Sequence, residues 1–315
     1  MKVIAIEEHF WSKEFADHFS GPRGERSPDL MQKLENYTDI RLADMDAAGI
    51  DVQVISHAPP GGQRLLQKTG IVACRDVNNL LANIISKAPD RFAGFATLPQ
   101  FDPAAAADEL QRSVEDLGLK GAMMFGLTNG QFLDEKVFWP IFRRAAQLNV
   151  PVYLHPSMPN PTVRNIYYGT YEKSHPAILG AAWGFGVETG TLGIRMVLSG
   201  VFQEYPALQI ILGHLGEGIT FQLTRIDEAF SRPGNEPSDF ANIFRKHVHL
   251  TTSGFFSDSA LRFCLDEMGK DRIMFAVDWP FVANVDGVNW LKANPADDAT
   301  KQKIFATNAE RLLSL

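Results

Sequence analysis

The chain has 315 residues, 45% hydrophobic and 21% charged, with a net charge of -7. This is ordinary globular composition, long enough for one large domain or two average ones. No block of Lys and Arg supports a nucleic-acid surface, no stretch approaches the roughly 18 apolar residues of a membrane span, and the apolar run behind Lys2 is no signal-peptide core. The two cysteines, Cys74 and Cys264, lie far apart in helical patterns. That excludes a disulfide scaffold and favours a reducing compartment. The expectation is a soluble, cytoplasmic protein that meets neither nucleic acid nor membrane.

Short β-rich runs recur along the chain. In order they are "VIAI" (3-6), "VQVIS" (52-56), "FAGFATL" (92-98), "GAMMF" (121-125), "VPVYL" (150-154), "LQIIL" (208-212), "VHLTT" (248-252) and "IMFAV" (273-277). Amphipathic segments separate them, such as "TDIRLADMDAAGI" (38-50) and "PAAAADELQRSVEDLG" (103-118). The second carries Pro in its first turn and Gly at its end, the start and stop chemistry of a helix. "EKVFWPIFRRAAQLN" (135-149) and "KQKIFATNAERLL" (301-313) read the same way. Alternation repeated eight times implies parallel strands covered by helices. A (β/α)8 barrel of about 250 residues accounts for it as one domain over 1-315. The surplus falls in the segments 11-37 and 156-176, on the face where barrel active sites form. Both read as lids or subunit contacts, although residues 20-29 fit disordered surface equally well.

Ionisable residues close several of these runs. Glu7 and His9 follow the first, His155 the fifth, His214 the sixth and Asp278 the eighth. Strand side chains alternate, so Glu7 and His9 share a side and Glu8 takes the other. Five such residues from four strands converge on one face. Glu, His, His and Asp form the donor set of a borderline divalent metal, Zn2+ or Mn2+. Each motif alone is weak, because a lone buried His is usually a satisfied core residue. Their joint placement at the ends of the right strands carries the metal reading.

The motifs "AIEEHF" (5-10), "PDRFAGFATLP" (89-99), "VPVYLHP" (150-156), "ILGHLGEG" (211-218), "RID" (225-227), "LTTSG" (250-254), "RIMFAVDWPF" (272-281) and "TNAERLL" (307-313) span nearly the whole chain. In them the sequence resembles the amidohydrolase superfamily, in the branch of the gamma-resorcylate, 2,3-dihydroxybenzoate and 5-carboxyvanillate decarboxylases. The resemblance implies one metal held by Glu7, His9, His155 and Asp278, with His214 beside it. It implies a small aromatic carboxylic acid whose carboxylate and ortho hydroxyl chelate that metal, and a homodimer or homotetramer. Many relatives carry His-x-His at the first strand, where this chain has Glu7-x-His9. "FGLTNGQFLDEKVFWP" (125-140) is shorter here than in the gamma-resorcylate enzyme, so pocket size and substrate stay open.

A dication with two carboxylate ligands is a weaker Lewis acid than one with a single carboxylate. That points from hydrolysis toward a reaction whose reactive group is the substrate itself, and the resemblance implies that this reaction is decarboxylation of a hydroxylated benzoate. Asp278, protonated, would deliver a proton to the ring carbon that bears the carboxylate, and burial beside an anionic substrate would raise its pKa. His214 would polarise the carboxylate or assist the proton. Glu217 would orient His214 or pair with Arg225, or else stand as a first-turn carboxylate at a helix start. Arg225 would grip a substrate oxygen pair, or else form a surface ion pair. Phe281, Phe10, Trp11, Trp279, Tyr167, Tyr168 and His175 are candidates for the walls of an aromatic pocket, with core or interface packing as their alternative. His57 reads as packed. Thr251, Thr252 and Ser253 read as hydrogen-bonding support, and Asn308 as helix packing. Two other readings compete. One is a hydrolase of a lactone, amide or ester, with Asp278 as general base to a metal-bound water. The other is a catalytically silent binding relative, against which the intact ligand set argues.

Overall fold

The computed structural model describes residues 1-20, 26-65, 67-236 and 238-315. Residues 21-25, the middle of the segment 20-29, lie outside the described residues. Among the described residues nine parallel strands form: β1 (Ile4–Phe10), β2 (Val52–His57), β3 (Phe92–Gly94), β4 (Ala96–Thr97), β5 (Ala122–Phe125), β6 (Val152–His155), β7 (Ile210–Leu212), β8 (Val248–Thr251) and β9 (Ile273–Met274). The third apolar run is split at Phe95, so β3 and β4 make one stave and the staves number eight. Ladders join β1-β2-β3 and β4 through β9 in sequence order. Backbone hydrogen bonds close the circle. Ile6 donates to Phe275 O (3.2 Å), His9 to Trp279 O (2.7 Å) and Asp278 to Glu7 O (3.0 Å). Phe95 N donates to Ile55 O across the split stave (3.0 Å).

Alternation along each strand sorts side chains into two apolar layers. Ile4, Ile6, Val54, Met123, Tyr153 and Ile211 fill the barrel interior. Ala5, Phe10, Ile55, Leu154 and Leu212 pack outward under the helices. β1 departs from strict alternation. Ala5 pairs with Gln53 and Glu8 with Ile55, so β1 holds one extra residue there. This bulge lets Ile6 and Glu7 both face inward, and re-aims everything after it.

The helices begin and end where their sequences dictate. Asp102 accepts from Ala105 N and Pro103 occupies the first turn of helix Pro103–Glu115. Helix Asp39–Ala48 stops at Gly49, whose φ of 77° suits a residue without Cβ. The C-terminal helical pattern is interrupted by a π turn at Lys303–Thr307. There Ile304 O accepts from Phe275 N instead of serving the helix alone. Asn308 then ties the helix to the barrel by donating to Lys270 O and Ile273 O, each at 2.8 Å.

The described part of segment 11-37 is more ordered than a polar loop. It folds into helices Lys13–Ala16 and Pro28–Glu35, each capped by a serine side chain. Phe15, Phe19 and Leu34 from it join the outer core. Apolar burial, not hydrogen bonding alone, holds it against the barrel.

Candidate metal centre

Glu7, His9, His155 and Asp278 each present a donor atom within 4.8 Å of the others. The bulge and the ends of three strands bring them there. His9 Nε2 stands 3.2 Å from Asp278 Oδ1, and His155 Nε2 3.3 Å from Glu7 Oε1. Burial pulls the His9 pKa down to about 4 and that of His155 to about 3, with Glu7 resisting in both cases. Both rings are therefore neutral at pH 7 and keep a lone pair for a cation.

The remaining ring nitrogens are occupied. His155 Nδ1 donates to Pro156 O (2.8 Å), which leaves Nε2 free to ligate. His9 Nδ1 lies 3.3 Å from Ser56 Oγ, whose own proton points to Met123 Sδ. Glu7 Oε2 accepts from Tyr153 OH and from Thr251 Oγ1, while Tyr153 OH and Thr251 Oγ1 sit 2.9 Å apart. Burial raises the Tyr153 pKa well above its ordinary value, and Glu7 adds to the rise, so this phenol is a firm donor.

Within this cluster two buried atoms have no hydrogen-bond partner among the described residues, Glu7 Oε1 and His9 Nε2. An unpaired buried carboxylate oxygen and imidazole nitrogen carry an uncompensated desolvation penalty. A dication among the four donors would satisfy both. The residues present thus fit a bound divalent metal.

Beside this cluster lies a second one. β7 runs into His214-Leu215-Gly216-Glu217-Gly218, five successive residues with positive φ between 47° and 88°. This left-handed turn folds His214 Nδ1 onto Glu217 Oε1 at 2.8 Å. Thr251 O accepts from Leu215 N, and Thr220 Oγ1 donates to Leu215 O. Burial pulls the His214 pKa down, but the carboxylates of Glu217, Glu7 and Asp278 outweigh it and push the value to about 10. Burial raises Asp278 to about 7 against the opposing pull of His214. Asp278 also sits at φ 72°, a strained value for a residue with Cβ.

A cavity of about 730 Å³ opens on His214, Glu217 and Asp278, with Phe185, Phe255 and Val282 among its apolar walls. Phe281 is not among the residues that line it; its side chain is 41% exposed and its ring lies 5.7 Å from that of His9.

A family model described as amidohydrolase matches residues 4-315. The chain belongs to the amidohydrolase family. A gamma-resorcylate decarboxylase from Rhizobium sp. (strain MTP-10005) is 39% identical over 99% of this chain and 98% of its own length. A solved 2,6-dihydroxybenzoate decarboxylase in complex with 2,6-dihydroxybenzoate superposes with a TM-score of 0.91 at 37% identity, covering both chains fully. A dihydroxybenzoic acid decarboxylase from Polaromonas sp. JS666, solved with manganese and the inhibitor 2-nitroresorcinol, gives 0.90 at 35% identity over 100% of this chain and 97% of its own.

The structure of this amidohydrolase also places the remaining candidate residues. Phe10 does not line the cavity. It shares the outward side of β1 with Glu8 and packs edge-on against Tyr37 and His57. Arg225 is exposed on helix Ile219–Phe230 and His175 is exposed beside Ser174, and neither is among the residues that line the cavity. Trp279 is buried behind β1 under the Arg41 guanidinium. His57 is packed in an aromatic nest with Phe10, Trp11, Phe15 and Phe19. Ser253 Oγ is buried without a partner among the described residues. Tyr153 escaped the sequence reading. The signal was present: it precedes His155 by two residues on one strand and so shares its face.

Proposed function

We propose that this protein is a metal-dependent carboxy-lyase that removes CO2, without oxidation, from an ortho-hydroxylated benzoate of the 2,6-dihydroxybenzoate class. The observation that carries the proposal is the pair of buried, unpartnered donors, Glu7 Oε1 and His9 Nε2, placed beside a carboxyl whose pKa is raised and facing a largely apolar cavity. The named activities of the relatives support it.

Glu7, His9, His155 and Asp278 would hold one divalent ion, and manganese suits the two carboxylates. When bound there, such an ion would supply Lewis-acid anchorage for an anionic, chelating substrate. The residues of the chain do the rest. The His214 cation, fixed by Glu217, offers its free ring nitrogen to the departing carboxylate. Phe281 supplies a flat wall for the ring. Asp278 delivers its proton to the ring carbon that bears the carboxylate, and the ortho hydroxyls stabilise the dearomatised ring. The C–C bond then breaks, its electron pair returns to the ring, and CO2 leaves. Asp278 regains its proton from solvent through the cavity.

The test is manganese-loaded protein with 2,6-dihydroxybenzoate, with CO2 and resorcinol followed together. The expected outcome is one of each per acid consumed. Turnover of nitrophenyl esters or lactones without CO2 release would reverse the reading. Exposed Ile166, Tyr167 and Tyr171, on the segment after β6, offer an apolar face that a second copy would cover. This supports a homodimer or homotetramer, which light scattering checks.

A further inference from the structure

Three of the four metal donors hang from two neighbouring stretches of main chain: Glu7 and His9 from β1, Asp278 from the segment after β9. Two hydrogen bonds join these stretches directly. His9 N donates to Trp279 O (2.7 Å) and Asp278 N to Glu7 O (3.0 Å). Asp278 nevertheless holds a φ of 72°. Strain of that kind persists only where the surroundings over-determine it.

Behind β1, helix Asp39–Ala48 supplies a further hold. Arg41 on it is completely buried. One arm of its guanidinium donates to His9 O, and the other to Gln53 Oε1 on β2 (3.0 Å). The face of the guanidinium lies over the Trp279 ring, with Cζ 4.2 Å from the ring centroid. About one turn further along the helix, Asp44 Oδ2 accepts from Trp279 Nε1 (2.9 Å). One helix thus grips the main chain of one ligand, His9, and the side chain of the residue next to another, Asp278.

Fold stability alone does not account for this arginine. Taking a guanidinium out of water is expensive, and Arg41 Nε has no hydrogen-bond partner among the described residues. A methionine would fill the same space more cheaply. What an apolar side chain lacks is a rigid fork that serves two acceptors while its flat cationic face rests on an indole. Those are the contacts that reach His9 and Trp279.

We infer that Arg41 is a positioning residue for the metal centre: from outside the barrel it fixes how His9 and Asp278 face one another. It acts through the His9 carbonyl and the Trp279 ring, not through a donor atom. The inference rests on the metal-centre reading above and is independent of which acid is the substrate.

The test compares wild type, Arg41→Lys and Asp44→Ala by manganese titration against a competing chelator, and by urea unfolding with and without manganese. Lysine keeps the charge but loses the planar fork and the stacking face. Arg41→Lys should raise the manganese dissociation constant about tenfold to a hundredfold, the range for losing a partner that orients a ligand. Asp44 is partly exposed, so Asp44→Ala leaves the guanidinium in place and should raise the constant by less. The gain in urea midpoint on adding manganese should shrink in the same order, because a weaker site stabilises the folded chain less. An arginine that serves the fold alone predicts otherwise: the midpoint falls equally with and without manganese, and the dissociation constant keeps its wild-type value. That result in Arg41→Lys overturns the inference. Should Arg41→Lys fail to fold, Asp44→Ala decides: a raised constant supports the inference and an unchanged one overturns it. Absence of manganese binding in the wild type overturns the metal reading and the inference together.

Discussion

The two sides of β1 carry neighbouring glutamates with opposite accounts. On the outer side Glu8 is fully engaged: Val277 N and Trp279 N donate to its two oxygens, each at 2.9 Å. Close by, Arg41 donates to His9 O and to Gln53 Oε1 and lies over Trp279. Burial pushes the Glu8 pKa well above its usual range, although those two N–H groups and Arg41 draw it down. On the inner side Glu7 has one oxygen served by Tyr153 and Thr251, while the other accepts no hydrogen bond among the described residues. Satisfied buried polar groups stabilise a fold, and unsatisfied ones mark where a fold waits for a ligand. Glu8 holds the segment after β9 that carries Asp278, and Glu7 faces the chemistry.

That contrast can be broken by mutation, and the largest effect belongs to the inner side. Asp278→Asn should keep the fold and lower decarboxylation at least about a thousandfold, the scale of a lost general acid with a lost ligand. Glu7→Gln should lose bound manganese, measured by metal analysis after gel filtration, without lowering the melting temperature of the metal-free protein. Full activity in Asp278→Asn, or a large drop in stability in metal-free Glu7→Gln, would erase the distinction.

The outer side should respond in the other coin of stability. Glu8→Ala strands two buried N–H groups and should cost about 2–4 kcal/mol in urea unfolding. Smaller again, Tyr153→Phe removes one donor to Glu7 and should weaken manganese about tenfold, as loss of a partner hydrogen-bonded to a ligand does. Competition with a chelator reads this directly.

The smallest effect sharpens the contrast through pH. Burial lowers the pKa of His57 and of His249 to about 3, with Arg272 adding to the shift in His249. The unfolded chain holds histidine near 6.5, so it binds more protons than the folded one between these values. Their stabilisation is therefore full above about pH 6.5 and is lost as pH falls toward 3. The urea midpoint should drop between pH 7 and 5, and the drop should be shallower in His57→Phe.

Much of this was legible in the sequence, and the misses have physical reasons. The four donors could be read because each closes an apolar run, and a barrel gathers strand ends on one face. The same alternation that turned Glu8 outward also turns Phe10 outward, a step that proximity to His9 obscured. The bulge in β1 was illegible: an extra residue in a strand leaves no mark in an unbroken apolar run. Phe15, Phe19 and Leu34 showed that 11-37 had something to bury, although the polar "SGPRGERSPD" masked it. Whether an exposed residue such as Arg225 meets the site depends on neighbours that no single chain specifies.

The left-handed turn at 214-218 sets a limit on engineering this protein. His214, Leu215 and Glu217 each hold a conformation that disfavours a side chain by roughly 1–2 kcal/mol, and only Gly216 and Gly218 escape it. A screen for heat resistance would be drawn to this turn, because glycine at 217 relaxes the backbone at once. The hardier enzyme so obtained would have a slack histidine, and selection for longevity would have removed the catalyst.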